Sequence, residues 1–272
     1  MESTSLLAEA TTYICSIASG SNGNAYWIQC QDTAIMIDCG IGYREMVKRA
    51  KTVGVDLKLL SAIFISHEHS DHVRGLKVLA NHHKHMHCYM TAGTAKGVRE
   101  YYLPLDGSRV HLMPSDGVIT VGPIEVTSFA KPHDVKEPVS YTVRTVDGIT
   151  IGVYTDIGRP TDRLVEELGQ CDAVFLESNY DKEMLQKGHY PLYLKNRITG
   201  GEGHISNKEA FELIENLPKP YKLQVLVLSH LSGENNKPQL VRELFEPFEE
   251  HMKVYTASRN GAGALIKLEK TI

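Results

Sequence analysis

The sequence predicts an α/β (α+β) protein built as one domain over residues 1–272, with two mixed β-sheets packed face to face and helices outside. Three observations predict it. Strand-like and helix-like stretches alternate near both ends of the chain. The middle, residues 109–155, holds short β-like pieces set between Asp-Gly, Gly-Pro and charged turns. The two halves are therefore of similar type, whereas a single doubly wound sheet needs fewer antiparallel pieces. No linker, low-complexity tract or short repeat divides the chain.

The elements follow in order. Residues 11–19, 25–30 and 33–40 are dense in Tyr, Ile and Trp and read as strands around the loop GSNGN and a tight turn. Residues 43–51 read as a helix and 59–66, LLSAIFIS, as a buried strand. Residues 73–83 carry an amphipathic helical pattern, 86–90 a short strand, and 91–102 a helix opened by a Thr cap. Five β-like pieces follow at 109–113, 117–121, 124–130, 139–145 and 148–155. Then come a helix at 161–169, a strand at 172–178, and a helix at 206–217. Ser206 caps that helix, with Glu209 three residues on as reciprocal partner. A buried strand at 223–229, a long helix at 238–252 and two closing strands complete the chain.

Composition narrows the function. Hydrophobic residues make up 42% and charged residues 23%, with a net charge of -4. Such a chain does not bind nucleic acid by bulk positive charge, although a local basic patch or bound metals can still hold phosphate. The five cysteines include no CxxC pair, which reads as free buried thiols in a reducing compartment. The start MESTSLLAEATTYI lacks a signal-peptide pattern, and no apolar run approaches a membrane span. The expectation is a soluble cytoplasmic protein without membrane contact, its oligomeric state left open.

The chemistry is concentrated in His67-Glu68-His69-Ser70-Asp71-His72, which joins an apolar strand to a helix. Residues 67 and 69 point the same way on extended backbone. Three imidazoles and a carboxylate exceed what one zinc ion takes from one loop, so a two-metal site is the economical reading, against a merely polar histidine-rich loop. His82, His83, His85 and His87 have mixed spacing and no carboxylate among them, and read as structural or solvated. Further ligands are sought where predicted strands end: His133, Asp156 and His230 each follow an apolar run. Asp156 taken alone can equally cap a turn.

The HxHxDH motif followed by a lone His, an Asp and a last His resembles the metallo-β-lactamase superfamily. That resemblance implies a four-layered αββα sandwich. It implies a first metal on His67, His69 and His133, a second on Asp71, His72 and His230, and Asp156 bridging both. The ions are expected to be zinc or manganese, with iron a further option. Within the superfamily the chain resembles the YycJ/WalJ (VicX) family, through GSNGN at 20–24, HEHSDH at 67–72, LESNYD at 176–181, the segment 190–207 and HLSGENN at 230–236. Together these cover nearly the whole chain. The family implies a single-domain exonuclease that degrades double-stranded DNA from the 5′ end, with DNA the expected partner. One departure is Tyr180, where many members carry His, which puts substrate contacts in doubt. Alternatives are hydrolysis of a small nucleotide or cyclic phosphodiester, or another ester or thioester hydrolase of this fold. A non-catalytic metal-binding scaffold predicts broken ligands, and none is broken.

In the expected reaction two metals activate water for in-line attack on phosphorus. Asp71 is expected to act in catalysis as well as in metal binding. His204, before the helix at 206–217, is a candidate proton donor or phosphate clamp, with a structural role at the helix start as the alternative. Asn24, Asn179, Tyr180, Lys195, Arg197 and Asn235 are the expected substrate contacts, Asn235 with Asn236 framing the site behind the ligands. GSNGN lacks the Lys-Ser/Thr ending of a P-loop.

Overall fold

The computed structural model describes residues 10–103 and 106–270. The expectation made on the first nine residues lies outside them. Strands β1 (Thr12–Ala18), β2 (Ala25–Cys30), β3 (Thr33–Ile37), β4 (Leu60–Phe64), β5 (His87–Met90) and β6 (Val110–Leu112) come first. Strands β7 (Val118–Val121), β8 (Ile124–Ala130), β9 (Val139–Thr145), β10 (Thr150–Tyr154), β11 (Ala173–Glu177), β12 (Val225–Ser229) and β13 (Lys253–Thr256) follow, and β14 (Ile266–Leu268) closes the chain. One sheet has the order β14-β1-β2-β3-β4-β5-β6 and the other β13-β12-β11-β10-β9-β8-β7. Each is mixed: β3 to β6 run parallel beside antiparallel hairpins, and so do β10 to β13.

The two-fold period of a strand explains the layers. In β11 and β12, Ala173, Phe175, Val225 and Val227 face the other sheet, where they meet Ile14, Tyr26, Ile35 and Phe64. Their neighbours Val174, Leu176, Leu226 and Leu228 face outward. Strands buried on both faces read as unbroken apolar runs, as LQVLVLS does. Helices α1 (Tyr43–Val53), α2 (Ser70–Val73), α3 (Leu76–His82) and α4 (Ala92–Gly97) belong to the first half. Met46 and Ala50 of α1 and Leu76 and Leu79 of α3 cover the first sheet's outer face. Helices α5 (Asp162–Leu168), α6 (Lys182–Lys187), α7 (Leu192–Thr199), α8 (Asn207–Glu215) and α9 (Pro238–Phe245) belong to the second. Leu164, Ile214 and Phe245 of α5, α8 and α9 cover the second sheet. The result is the four-layered αββα sandwich. Among the described residues no helix is long and apolar enough to cross a membrane. All five cysteines are free and buried, and burial pushes the thiols of Cys15, Cys88 and Cys171 up to about 12.

Several elements depart from the sequence reading. The helix expected over 91–102 stops at Gly97 and resumes as a short 3-10 turn, Glu100–Tyr102. Its Thr91 cap forms, accepting from the Thr94 amide. The helix expected over 238–252 gives way to a 3-10 turn at Glu246–Glu250, where Pro247 has no amide hydrogen to donate. The segment 73–83 is divided at Gly75 into α2 and α3. The strip 190–197 forms most of α7, which the sequence reading left without an element. The Ser206–Glu209 capping box is present.

Candidate metal centre

The centre lies along one rim of the sandwich, where strands end. β4 delivers Ser66 and His67, β8 leads to His133, β10 to Asp156, β11 ends on Glu177, and β12 leads to His230. Asp38, Asp156 and His230 follow their strands with positive φ, at 62°, 52° and 56°. Non-glycine residues in that region carry strain of about 1–2 kcal/mol each. Here the turn aims each side chain across the rim rather than along the sheet.

His67 Nε2 lies 3.1 Å from His69 Nδ1, and the His133 ring centroid is 4.8 Å from that of His67. Asp156 sits between these three and the rest. Its carboxylate oxygens are 3.2 Å from His72 Nε2, 3.5 Å from His230 Nε2 and 3.9 Å from His133 Nε2. Asp71 is 3.7 Å from His72 Nε2 and 4.0 Å from His230 Nε2. Ligand atoms of His67, His69 and His133 fall within 4.8 Å of one another, as do those of Asp71, His72 and His230, and those of His67, His72 and Asp156. The structure thus brings all seven expected ligands together in two adjoining clusters.

A second set of contacts turns the rings. His67 Nδ1 meets Ser66 Oγ at 2.9 Å, and His72 Nδ1 meets Asp38 Oδ2 at 2.7 Å. His133 Nδ1 meets the Gly203 carbonyl at 3.1 Å, and His230 Nδ1 meets Glu177 Oε1 at 2.8 Å. In each case Nε2 is left to face the centre, which is how protein metal sites fix imidazole ligands. His133 Nε2, His230 Nε2 and Asp156 Oδ2 are buried without a hydrogen-bond partner. Leaving three such atoms unsatisfied costs about 1–3 kcal/mol apiece unless a ligand meets them. A mixed set of nitrogen and carboxylate donors fits divalent zinc or manganese.

The electrostatics separate two kinds of imidazole. Burial, reinforced by His72, holds His67 well below the ordinary histidine range, and burial takes His133 down to about 4. Burial also opposes the charge on His72 and His230, yet Asp156 and its neighbouring carboxylates outweigh it. His72 is held well above its usual range and His230 rises to about 10. Burial alone would raise Asp156, but His230 and His72 hold it well below the carboxylate range.

Two important residues were missed in the sequence, Asp38 and Glu177. Both are fully buried. Asp38 also accepts from the Ser66 amide and hydroxyl, at 2.8 Å each. Glu177 accepts from the Ile157 amide at 2.8 Å and from Nδ1 of both His204 and His230 at 2.8 Å. Burial would raise it, but those two imidazoles hold it at about 2. Its Oε1 lies on the Nδ1 side of His230, where it orients the ring, and the carboxylate also falls in a candidate ligand group with Asp156, His204 and His230. The signal was available: both carboxylates end strands, as Asp156 nearly does.

His204 stands at the centre's edge, 22% exposed, with its ring centroid 5.2 Å from that of His230 and 5.6 Å from that of His133. The expected substrate residues fare unevenly. Arg197 pairs with Asp134, the neighbour of His133, and lies at the rim. Asn24 is fully buried; its Nδ2 lies 3.0 Å from His72 Nε2, the ring nitrogen that faces the centre, and 3.2 Å from the Gly20 carbonyl. Asn179 is buried and donates to the His230 carbonyl at 2.8 Å. Asn235 is buried against Gly188. Lys195 reaches the Gln186 carbonyl and Tyr180 packs with Leu185 and Ile198, both lining a separate cavity beneath α6 and α7. These five placements share a cause: polar residues near a motif are as often its scaffold as its mouth. The open cleft over the centre is lined by Glu68, His69, His133, Asp134, Lys136 and Glu202. Of the other histidines, His82 stacks on Tyr43 at 4.2 Å and His83 is buried beside it.

The family description "Beta-lactamase superfamily domain" matches residues 33–230. The chain is 31% identical over 227 residues to the exodeoxyribonuclease WalJ of Streptococcus pneumoniae serotype 2, covering 82% of this chain and 83% of that protein. It is 30% identical over 226 residues to the exodeoxyribonuclease YycJ of Bacillus anthracis, covering 83% and 84%. The metallo-β-lactamase fold protein YhfI of Bacillus subtilis superposes with a TM-score of 0.68 at 18% identity, covering 93% of this chain and 99% of that one. With its strand-end ligand clusters and these similarities, the chain belongs to the metallo-β-lactamase superfamily, beside WalJ and YycJ, and is a metal-dependent hydrolase of that fold.

Proposed function

We propose that the protein is a two-metal phosphodiesterase that degrades double-stranded DNA from its ends, in the 5′ to 3′ direction. The observation that carries it is the pair of ligand clusters, His67/His69/His133 and Asp71/His72/His230, with the Asp156 carboxylate within 3.9 Å of His133 in one and of His72 and His230 in the other, and with His133 Nε2, His230 Nε2 and Asp156 Oδ2 buried without a hydrogen-bond partner. The likeness to WalJ and YycJ supports DNA as the substrate. His67, His69 and His133 would hold one ion, Asp71, His72 and His230 the other, with Asp156 between. Two divalent ions there would polarise the scissile phosphate and activate water. His204 is the proton donor to the leaving oxygen: Glu177 accepts from its Nδ1, which leaves Nε2 to face substrate. Asn24, Asn179 and Asp38 hold ligand rings and carbonyls in place, and Arg197 braces Asp134 at the cleft's lip.

A second reading is hydrolysis of a small diester. It is favoured by the cleft lip, where the three carboxylates Glu68, Asp134 and Glu202 outnumber the two cations Lys136 and Arg197. The test uses metal-loaded protein with end-labelled linear duplex, closed plasmid circle and a cyclic dinucleotide, and Asp71→Ala as control. Progressive loss of the linear duplex alone, abolished by the substitution, supports the exonuclease. Cleavage of the small diester alone would replace it with the second reading.

A further inference from the structure

A second cavity adjoins the metal centre and carries the opposite charge. Its volume is about 390 Å³, and Ser232, Asn236, Arg242, Thr256, Ser258 and Arg259 line it, with no carboxylate among its lining residues. Among the described residues neither guanidinium forms an ion pair. Thr256 Oγ1 is buried without a partner. Two unpaired guanidinium groups, hydroxyls and amides around one hollow form an anion site, since guanidinium matches phosphate geometry with paired donors.

Two loops link the cavity to the metal centre. Ser232 follows the ligand His230 by two residues, so their Cα atoms are no more than about 7 Å apart. The Arg259 carbonyl accepts from Asn22 at 3.0 Å, which ties this loop to the glycine loop carrying Asn24. The Arg259 side chain lies against both loops: a Cβ on Gly233 would sit 2.2 Å from its Nη1, and one on Gly20 would sit 2.9 Å from its Cγ. The cleft over the centre is mixed in charge, with Glu68, Asp134 and Glu202 beside Lys136 and with Asp134 paired to Arg197. A phosphate chain reaching past His230 from the metal centre therefore meets two guanidinium groups with no carboxylate beside them.

We infer that the Arg242–Arg259 cavity binds a phosphate group of the nucleic-acid strand whose neighbouring linkage lies at the metal centre. The ligand assignment rests on the phosphodiesterase reading; the anion site itself does not. The phosphate comes either from the strand's terminal monoester or from an internal diester, and both present the same oxygens.

The test is phenylglyoxal labelling of arginines in the metal-loaded full chain, mapped by peptide mass spectrometry. The probes are inorganic phosphate, a duplex with 5′-phosphate ends and the same duplex with 5′-hydroxyl ends. Labelling of Arg242 and Arg259 should slow about tenfold with the duplexes, while exposed Arg44 on α1 labels at an unchanged rate. Protection by the phosphorylated duplex alone identifies the terminal phosphate; equal protection by both identifies an internal one. Arg242→Gln, on an exposed helix face, should raise KM about tenfold with kcat within twofold, and should lower the salt slope of binding by about one. Unchanged labelling and unchanged KM in an enzyme that still degrades DNA would overturn the inference. If DNA is not degraded, the exonuclease reading fails, and slowed labelling by inorganic phosphate still decides whether the cavity is an anion site.

Discussion

Asp38 Oδ2 lies 2.7 Å from His72 Nδ1, and both side chains are fully buried. The same carboxylate holds the amide and hydroxyl of Ser66, whose Oγ meets His67 Nδ1 at 2.9 Å. One residue at the end of β3 therefore orients a ring in each of the two ligand clusters. Replacing Asp38 by Asn keeps the volume but removes the charge and one acceptor. Metal affinity should fall about 10–100-fold, as for other outer partners of ligating histidines. Competition titration against a chromophoric chelator checks this, and two ions bound at wild-type affinity would refute it.

Gly40 makes the close approach that brings Asp71 into the centre. A Cβ there would lie 1.5 Å from the Asp71 carbonyl oxygen and 2.6 Å from the Asn24 amide nitrogen. Both neighbours are backbone and cannot swing away. Asn24 donates to the Asp71 carbonyl at 2.8 Å, and Gly40 donates to the Asn24 carbonyl at 2.7 Å, so the three segments are locked together. Gly40→Ala should destabilise the fold by about 3 kcal/mol or more, at the upper end of overpacking effects. Urea denaturation measures it, and a loss under 1 kcal/mol would show that the loop yields.

Tyr180 offers the opposite case. It is buried with Leu185 and Ile198 under α6 and α7, away from the ligand rings. Tyr180→Phe should leave kcat and KM within about twofold, with a stability loss of at most about 1.5 kcal/mol for a hydrogen bond. Tyr180→Ala should destabilise by about 3–5 kcal/mol, as for other buried aromatics. A large kcat loss in the Phe variant with unchanged stability would return Tyr180 to the active site.

The legible part of this protein was its pattern, and the illegible part was its second layer. Unbroken apolar runs marked β4, β11 and β12, and positions just past apolar runs marked His133, Asp156 and His230. Asp38 and Glu177 escaped because a carboxylate ending a strand looks the same whether it faces a metal, a histidine or water. Only the fold shows that Glu177 touches Nδ1 of both His204 and His230. Helix ends failed for a related reason: Pro247 and Gly97 set local stops that a hydrophobic periodicity does not register.

His204 and Glu177 separate positioning from proton transfer. His204→Gln removes the imidazole that lies beside Asp156 at 3.9 Å while leaving all seven proposed ligands in place. Its kcat should fall about 10²–10⁴-fold, the usual scale for losing a general acid, with two ions still bound by elemental analysis. If kcat falls but metal content falls in parallel, His204 acts on the site's structure and not on the proton.

Removing metal should loosen the rim while sparing the rest of the sandwich. The clusters bury His133 Nε2, His230 Nε2 and Asp156 Oδ2 without partners, and they gather carboxylates and imidazoles that only the folded chain assembles. Ions that bind the folded state alone stabilise it by mass action, about 2.7 kcal/mol at a hundredfold excess over Kd for each site. For a domain of this size each kcal/mol moves Tm by about 2–4 °C. Dialysis against a chelator should therefore lower Tm by about 5–10 °C per ion lost, and zinc or manganese should restore it with two equivalents per chain. Far-ultraviolet circular dichroism should stay unchanged, because the three apolar layers around β4, β11 and β12 do not depend on the rim. A Tm indifferent to chelation and to added metal would mean that the buried rim atoms are satisfied without ions, and the two-metal reading would fall.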